Sequence, residues 1–165
     1  MAVNRHKTHL VVFVEDKPYR NIINGIKNLL FDVKDPCGGW VKVFETFEKN
    51  VFLLDKYKQC NMLLLIDFDD KNEPIETNFN KRIDKFNKAV PQEYKNRVFI
   101  LGTNHKESEA LKKVFNLSNF EDIGKLLVED CPNSDLKHWQ NIHLKCNLPE
   151  IERMKENGIF DWLFT

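Results

Sequence analysis

The sequence lacks an apolar run long enough to cross a bilayer, which needs about 20 predominantly apolar residues. The N-terminal stretch Met1–Thr8 is polar and basic, and the apolar segment behind it is too short for a signal peptide. We therefore expect a soluble, cytoplasmic protein that does not bind membranes.

An excess of either charge is also missing, since Lys plus Arg number 25 and Asp plus Glu number 25. A formal net charge of zero excludes a general attraction of the chain to nucleic acid or to acidic membranes. A polyanionic partner would have to be held by a local patch of basic side chains.

Regularly spaced cysteines are absent as well. The chain has four cysteines and no CxxC pair, and thiols in an intracellular protein stay reduced, so we expect free cysteines. His143 and Cys146 have a spacing that zinc ligands on a helix can have. Without a second regular pair, this spacing favours a structural role over a zinc site.

The sequence does contain short apolar segments that alternate with amphipathic ones. The predicted strands are His9–Val14, Phe31–Lys34, Met62–Ile66 and Arg97–Leu101. Each is followed by apolar residues at helical spacing. This alternation predicts an α/β fold, with a parallel sheet of four or more strands flanked by helices.

The last third of the chain changes character. From residue 118 onward, apolar residues follow helical spacing and are interrupted near Pro132 and Pro149. We expect an α/β core over residues 1–117 and a helical extension over residues 118–165, packed on the same domain. The segment Phe160–Phe164 is too apolar for a free tail, so it should pack on the domain, on a second copy or on a protein partner.

Acidic residues stand where two of the predicted strands end. His9–Val14 runs into Glu15, and Met62–Ile66 runs into Asp67 and Asp69. Neighbouring parallel strands share a carboxyl edge, where α/β folds bind ligands, so we expect the three carboxylates to lie together. Mutual repulsion should raise the pKa of at least one of them. Oxygen ligands in such a group suit Mg²⁺ or Mn²⁺.

The motifs Val-Phe-Val-Glu15 and Leu-Ile-Asp67-Phe-Asp69 resemble those of the Toprim domain found in topoisomerases and primases, and in particular its small, divergent, nuclease-like members. The resemblance spans residues 10–101 and implies a Toprim, Rossmann-like fold. It also implies Mg²⁺-dependent or Mn²⁺-dependent phosphodiester chemistry on nucleic acid, alone or within a larger complex. Glu15 would then be a general acid/base or metal ligand, and Asp67 and Asp69 metal ligands. This chain departs from the family at Asp16, where Toprim proteins usually have glycine.

Further candidates follow from the nuclease-like branch and from local charge. Glu107, after the fourth predicted strand, would be a ligand of a second metal ion. Helix N-termini near the acidic residues attract phosphate, and basic side chains there could hold a nucleic-acid backbone. These candidate nucleic-acid contacts are Lys17, Arg20, Lys42, Lys71 and Lys106. For each of them, an ordinary surface charge is the simpler interpretation.

Two other functions fit some of the same residues. One is a catalytically inactive Toprim-like interaction module. The other is a receiver-like phosphoacceptor domain, with Glu15 and Asp16 as its acidic pair, Asp67 as the phosphoacceptor and Thr103 as its switch residue. A receiver also needs a lysine at the end of a fifth strand, and no such strand is predicted after Asn116.

Overall fold

The computed structural model describes residues 2–26, 28–69, 74–106 and 108–164, without the side chains of residues 75 and 76. Four parallel strands form one sheet in the order β2-β1-β3-β4. The strands are β1 (His9–Val14), β2 (Phe31–Val33), β3 (Cys60–Asp67) and β4 (Val98–Thr103). The predicted α/β fold, a parallel sheet flanked by helices with a helical C-terminal third, is therefore confirmed.

Eight α-helices are found in the described part of the chain. They are α1 (Lys17–Ile26), α2 (Trp40–Asn50), α3 (Phe52–Lys56), α4 (Ile75–Ala89), α5 (Ala110–Phe115), α6 (Phe120–Asp130), α7 (Leu148–Glu156) and α8 (Ile159–Leu163). None of these helices has the length and apolar character needed to cross a bilayer.

The two central strands are buried on both faces, which explains their uninterrupted apolar sequences. Val12 and Val14 of β1 face the core formed with α1, α5, α6, α7 and α8. Val11 and Phe13 face the core formed with α2, α3 and α4. Successive strand residues thus point to opposite layers, and this alternation decides where the side chains at the strand ends lie.

Helix α6 attaches the C-terminal third by crossing α1 at very short range. A Cβ atom on Gly25 would lie 2.0 Å from the carbonyl oxygen of Glu121, and one on Gly124 would lie 1.9 Å from that of Ile22. Only glycine permits this backbone approach. The core on the α1 side of the sheet therefore contains residues from both ends of the sequence.

The strand β4 runs through Gly102 to Thr103, whereas the sequence analysis ended it before the glycine. A Cβ atom on Gly102 would lie 1.8 Å from the carbonyl oxygen of Ile66 in β3. Glycine here permits a close approach between two strands, so it does not terminate β4.

Side chains from the C-terminal third bind the outer side of β4. The Asn147 amide nitrogen donates to the carbonyl oxygen of Gly102 over 2.7 Å, and its amide oxygen accepts from the Gly102 N–H over 2.9 Å. Arg153 Nη2 donates to the carbonyl oxygen of Val98 over 2.6 Å. These side chains satisfy backbone groups that would otherwise be unpaired on this side of the sheet.

The apolar C-terminal segment packs on its own domain, which is one of the arrangements that its composition predicts. Ile159 of α8 is 1% exposed, and the Asn28 side chain donates to the carbonyl oxygen of Leu163 over 3.1 Å. Four further residues pack against the core on the α1 side of the sheet: Phe160, Trp162, Leu163 and Phe164. A role for this segment in binding a partner stays a prediction.

Candidate functional site at the carboxyl edge of the sheet

Glu15 and Asp67 lie together where β1 and β3 end. These strands are neighbours, with Val14 beside Leu65, and Glu15 Oε2 accepts a hydrogen bond from the backbone N–H of Asp67 over 2.7 Å. The main-chain carbonyl of Glu15 instead accepts from the N–H of Gly38. The Glu15 N–H still donates to Leu65 of β3, but its carbonyl has turned away, so the side chain of Glu15 binds the next β3 amide instead, and this fixes the carboxylate in place.

The carboxylate of Asp67 is buried, with 8% of the residue exposed. Its Oδ1 atom accepts from Tyr19 Oη over 2.6 Å, from Thr103 Oγ1 over 2.8 Å and from the N–H of Ser108 over 3.3 Å. Burial and the charge of Asp67 raise the pKa of Tyr19 well above its usual value, so its hydroxyl stays protonated and donates. The sequence analysis did not single out Tyr19 or Ser108.

The alternation of β1 and β3 directs the two acidic side chains toward different layers. Even-numbered residues of β1 and odd-numbered residues of β3 belong to the core beside α1. Odd-numbered residues of β1 and even-numbered residues of β3 belong to the core beside α4. Continuing this pattern places Asp67 toward α1, where it meets Tyr19, and Glu15 toward α4. Their only hydrogen bond among the described contacts joins the Glu15 side chain to the Asp67 backbone.

The expected group of three carboxylates does not form among the described residues, where no three Asp, Glu, His or Cys side chains are placed to hold a metal ion. The structure brings Glu15 and Asp67 together, and Asp69 lies two residues beyond the end of β3. Successive strand residues point to opposite faces of the sheet, and this explains why carboxylates that share one edge do not all lie together. The predicted ligand Glu107 and the predicted contact Lys71 lie outside the described residues.

Asp16 is an acidic residue of the site, which the sequence analysis treated as a departure from the Toprim pattern and as half of a receiver-like acidic pair. Its Oδ1 accepts from the N–H of Tyr19 over 3.4 Å, as an N-cap of α1 does. Its negative charge also contributes to raising the pKa of Glu15. The residue after the strand-end glutamate therefore belongs to the electrostatic environment of the site.

The pKa of Glu15 is raised from 4.5 to about 7. Burial is the largest cause, the hydrogen bond from the Asp67 N–H opposes it, and the charges of Asp67 and Asp16 raise the pKa further. We expected a raised pKa from mutual repulsion, but removal from water contributes more. A carboxyl group that titrates near neutral pH is suited to donate and accept protons at physiological pH.

The raised pKa of Glu15 leads to a testable prediction about how the stability of the protein depends on pH. The folded state binds a proton at Glu15 more tightly than the unfolded chain does, so the native state is destabilised as the pH rises from the ordinary carboxyl pKa through about 7. Replacing Glu15 with Gln removes this penalty. The variant should gain up to about 3 kcal/mol over the parent between about pH 5 and about pH 8.

Urea denaturation at both pH values measures this difference in the free energy of unfolding. Glu152→Gln is the matched control, because Glu152 is an exposed carboxylate on α7. A Glu15→Gln variant with the same stability difference at both pH values would show that Glu15 titrates as an ordinary surface acid.

Arg82 of α4 is a buried cation beside this site, and the sequence analysis missed it. It is 2% exposed, and its charge acts to lower the pKa of Glu15. The apolar spacing of α4 contained the signal, because Arg82 follows Phe79 by three residues and precedes Phe86 by four. Arg82 therefore lies on the face of the helix that turns toward the sheet.

The basic side chains predicted to form a patch are not held together at the site by contacts among the described residues. Lys17, Lys42 and Lys106 are exposed. Arg20 forms a salt bridge with Asp35, with 2.8 Å between Nη1 and Oδ1. These side chains remain candidate contacts for nucleic acid, but an exposed salt bridge of this kind contributes little on its own.

The four cysteines are free, as predicted. Burial raises the pKa of the Cys146 thiol to about 12, so it is a poor metal ligand at neutral pH. His143 Nδ1 instead lies 3.0 Å from the carbonyl oxygen of Asn104. This contact gives His143 a structural role.

No protein-family model, curated protein or solved structure matches the chain. The argument about function therefore starts from the geometry of the carboxyl edge. Its components are a carboxyl group that titrates near neutrality, a buried aspartate bound by three donors, and a buried arginine.

Proposed function

We propose that the carboxyl edge around Glu15 and Asp67 performs phosphodiester chemistry on nucleic acid with Mg²⁺ or Mn²⁺, alone or as a subunit of a larger complex. The observation that carries this proposal is the position of Glu15. Its carboxyl group is fixed 2.7 Å from the Asp67 amide and has a pKa of about 7. A proton-exchanging group at the ligand-binding edge of an α/β sheet is what such a reaction requires.

The donor chemistry of the site fits a small, hard cation. Mg²⁺ keeps several waters and is usually bound by one or two carboxylates, so Asp67 would suffice, with Asp69 as a further oxygen ligand and Glu15 left to exchange protons. The three donors to Oδ1 of Asp67 fix the orientation in which its carboxylate would meet the ion. When bound, the cation would polarise a phosphoryl oxygen and lower the pKa of a bound water.

The protein's own residues have distinct parts in this proposal. Glu15 accepts a proton from the attacking water or gives one to the leaving oxygen. The hydroxyl donors of Tyr19 and Thr103 hold the orientation of the Asp67 carboxylate. The positive charge of Arg82 keeps the pKa of Glu15 from rising further.

A cleavage assay tests the proposal. Labelled single-stranded and double-stranded DNA and RNA are incubated with the protein, or its native complex, in Mg²⁺, in Mn²⁺ and in EDTA. We expect cleavage only with a metal, and a fall in rate of about 100-fold in Glu15→Gln, which keeps the shape but loses the exchangeable proton. Glu152→Gln should cleave like the parent.

Absence of metal-dependent cleavage on all four substrates, with any co-purifying partner added back, would refute the proposal. Full activity of Glu15→Gln would refute it equally. Either result would favour the catalytically inactive interaction module.

A second candidate function rests on the 2.8 Å hydrogen bond between Thr103 Oγ1 and Asp67 Oδ1. A receiver-like domain would place a hydroxyl there, beside a phosphoacceptor aspartate. Incubation with acetyl phosphate and measurement of intact mass would detect a phosphoryl group on Asp67. We expect no adduct, because Asp67 is 8% exposed and the sheet has no fifth strand in the described residues.

A further inference from the structure

The Arg82 guanidinium has few partners among the described residues. Its Nη1 atom lies 3.4 Å from the carbonyl oxygen of Asn78 and 3.5 Å from Asn78 Oδ1, which are long distances for hydrogen bonds. Its Nε atom is buried and has no acceptor in the part of the chain that the structure describes. A guanidinium has five N–H donors, so most of its capacity for hydrogen bonding is not used by these residues.

A buried cation is costly unless an anion compensates it. Glu15 is the carboxyl group at the site on which the charge of Arg82 acts, yet no hydrogen bond or salt bridge joins these two described side chains. The described residues therefore provide Arg82 with no carboxylate in direct contact, and the site favours the arrival of a further anion.

Trp40 separates Arg82 from solvent. The Cζ atom of Arg82 lies 4.3 Å from the centre of the Trp40 ring, and the half-buried ring lines an open groove between α2 and α4. Stacking on the ring occupies a face of the guanidinium and leaves its donors, which lie in its plane, available. Trp40 is close to the site because Gly38, two residues before it, binds the Glu15 carbonyl.

We infer that Arg82 binds a phosphate group of the nucleic acid beside Glu15, and that the Trp40 ring shifts when this subsite is filled. Identification of the phosphate as part of nucleic acid rests on the proposed function. The preference for phosphate over other anions follows from the guanidinium, whose paired N–H groups match two phosphate oxygens. Because the side chain is 2% exposed, the anion must displace its cover, and Trp40 is the part of that cover that faces the groove.

Tryptophan fluorescence tests this inference directly, because the reporter ring stacks on the binding group. The protein is titrated with inorganic phosphate in EDTA, and sodium chloride at equal ionic strength serves as the salt control. We expect a saturable change in emission that is absent in Trp40→Phe. The change should be lost in Arg82→Met, and phosphate affinity should fall by about tenfold in Arg82→Lys, which keeps the charge but loses the paired donors.

Lys85→Met is the matched control. Lys85 Nζ lies 5.8 Å from the centre of the same ring, but the side chain is exposed on the groove. Its removal should change phosphate affinity by less than about twofold, as for a screened surface charge. Equal losses in Lys85→Met and Arg82→Lys would show a general charge effect and would overturn the inference, as would a parent protein that does not respond to phosphate.

Two further measurements keep the result interpretable. Near-ultraviolet circular dichroism and the melting temperature show whether each variant is folded, and Arg82→Lys decides the question if Arg82→Met does not fold. Competition between phosphate and a short oligothymidylate distinguishes a nucleic-acid subsite, where the strand displaces phosphate, from a site for free phosphate only, which would overturn the inference. No metal is present, so failure here leaves the cleavage proposal standing, and absence of cleavage leaves a positive phosphate result standing.

Discussion

Replacing Asp67 with Ala should destabilise the protein by about 3 kcal/mol or more, because three donors lose one buried acceptor. Tyr19, Thr103 and Ser108 all donate to Oδ1 of Asp67. From the sequence alone, relief of repulsion between crowded carboxylates would leave such a variant as stable as the parent. The observed hydrogen bonds reverse that expectation, because the carboxylate is needed to satisfy buried polar groups.

Asp67→Asn separates stability from catalysis. The amide oxygen can still accept from the same donors, so we expect a smaller loss of stability than in Asp67→Ala, together with a fall in cleavage rate by orders of magnitude. Urea denaturation and the metal-dependent cleavage assay measure the two effects, with the exposed Asp135→Ala as the control. An Asp67→Ala variant as stable as the parent would show that these hydrogen bonds contribute little.

Removing residues 159–165 should abolish cooperative folding. The segment contains the buried Ile159 and four apolar side chains packed on the core beside α1. Full burial of one such side chain contributes about 1.5–3 kcal/mol. Ile159 contributes on this scale and the four partly buried side chains contribute part of it each, so their combined loss approaches the total stability of an ordinary domain, which is about 5–15 kcal/mol.

Thermal unfolding and light scattering measure the effect of this truncation. Asp161→Ala is the control on the same helix, because Asp161 is exposed and its replacement removes no core contact. A truncated protein that melts and scatters like the parent would indicate that the segment is kept for a partner and not for the fold.

The alternation of apolar segments was sufficient to predict the architecture, because strands buried on both faces have uninterrupted apolar sequences. It also predicted that Glu15 and Asp67 would meet, since neighbouring parallel strands end at one edge. The alternation of side chains within each strand was not applied to the residues that follow it. That rule directs the Glu15 and Asp67 side chains toward opposite layers, so that Glu15 meets the backbone N–H of Asp67 and no group of three carboxylates forms among the described residues.

Other parts of the site depend on packing that no local pattern encodes. Tyr19 reaches Asp67 only because α1 lies against the ends of β3 and β4. The spacing of Phe79, Arg82 and Phe86 was sufficient to place Arg82 on the buried face of α4. Its contact with Trp40, from a different helix, was not predictable from that spacing.

The side chains on the outer side of β4 also determine how this protein can associate through its sheet. Besides Asn147 and Arg153, the Glu150 carboxylate lies on this side of β4, where it accepts from Arg153 and where the backbone N–H of Ile100 acts to lower its pKa. A strand from another molecule would have to displace these bonds before it could add to β4. Intermolecular strand exchange and aggregation are thereby directed away from β4 and toward the three-residue strand β2, which is too short to be an effective template.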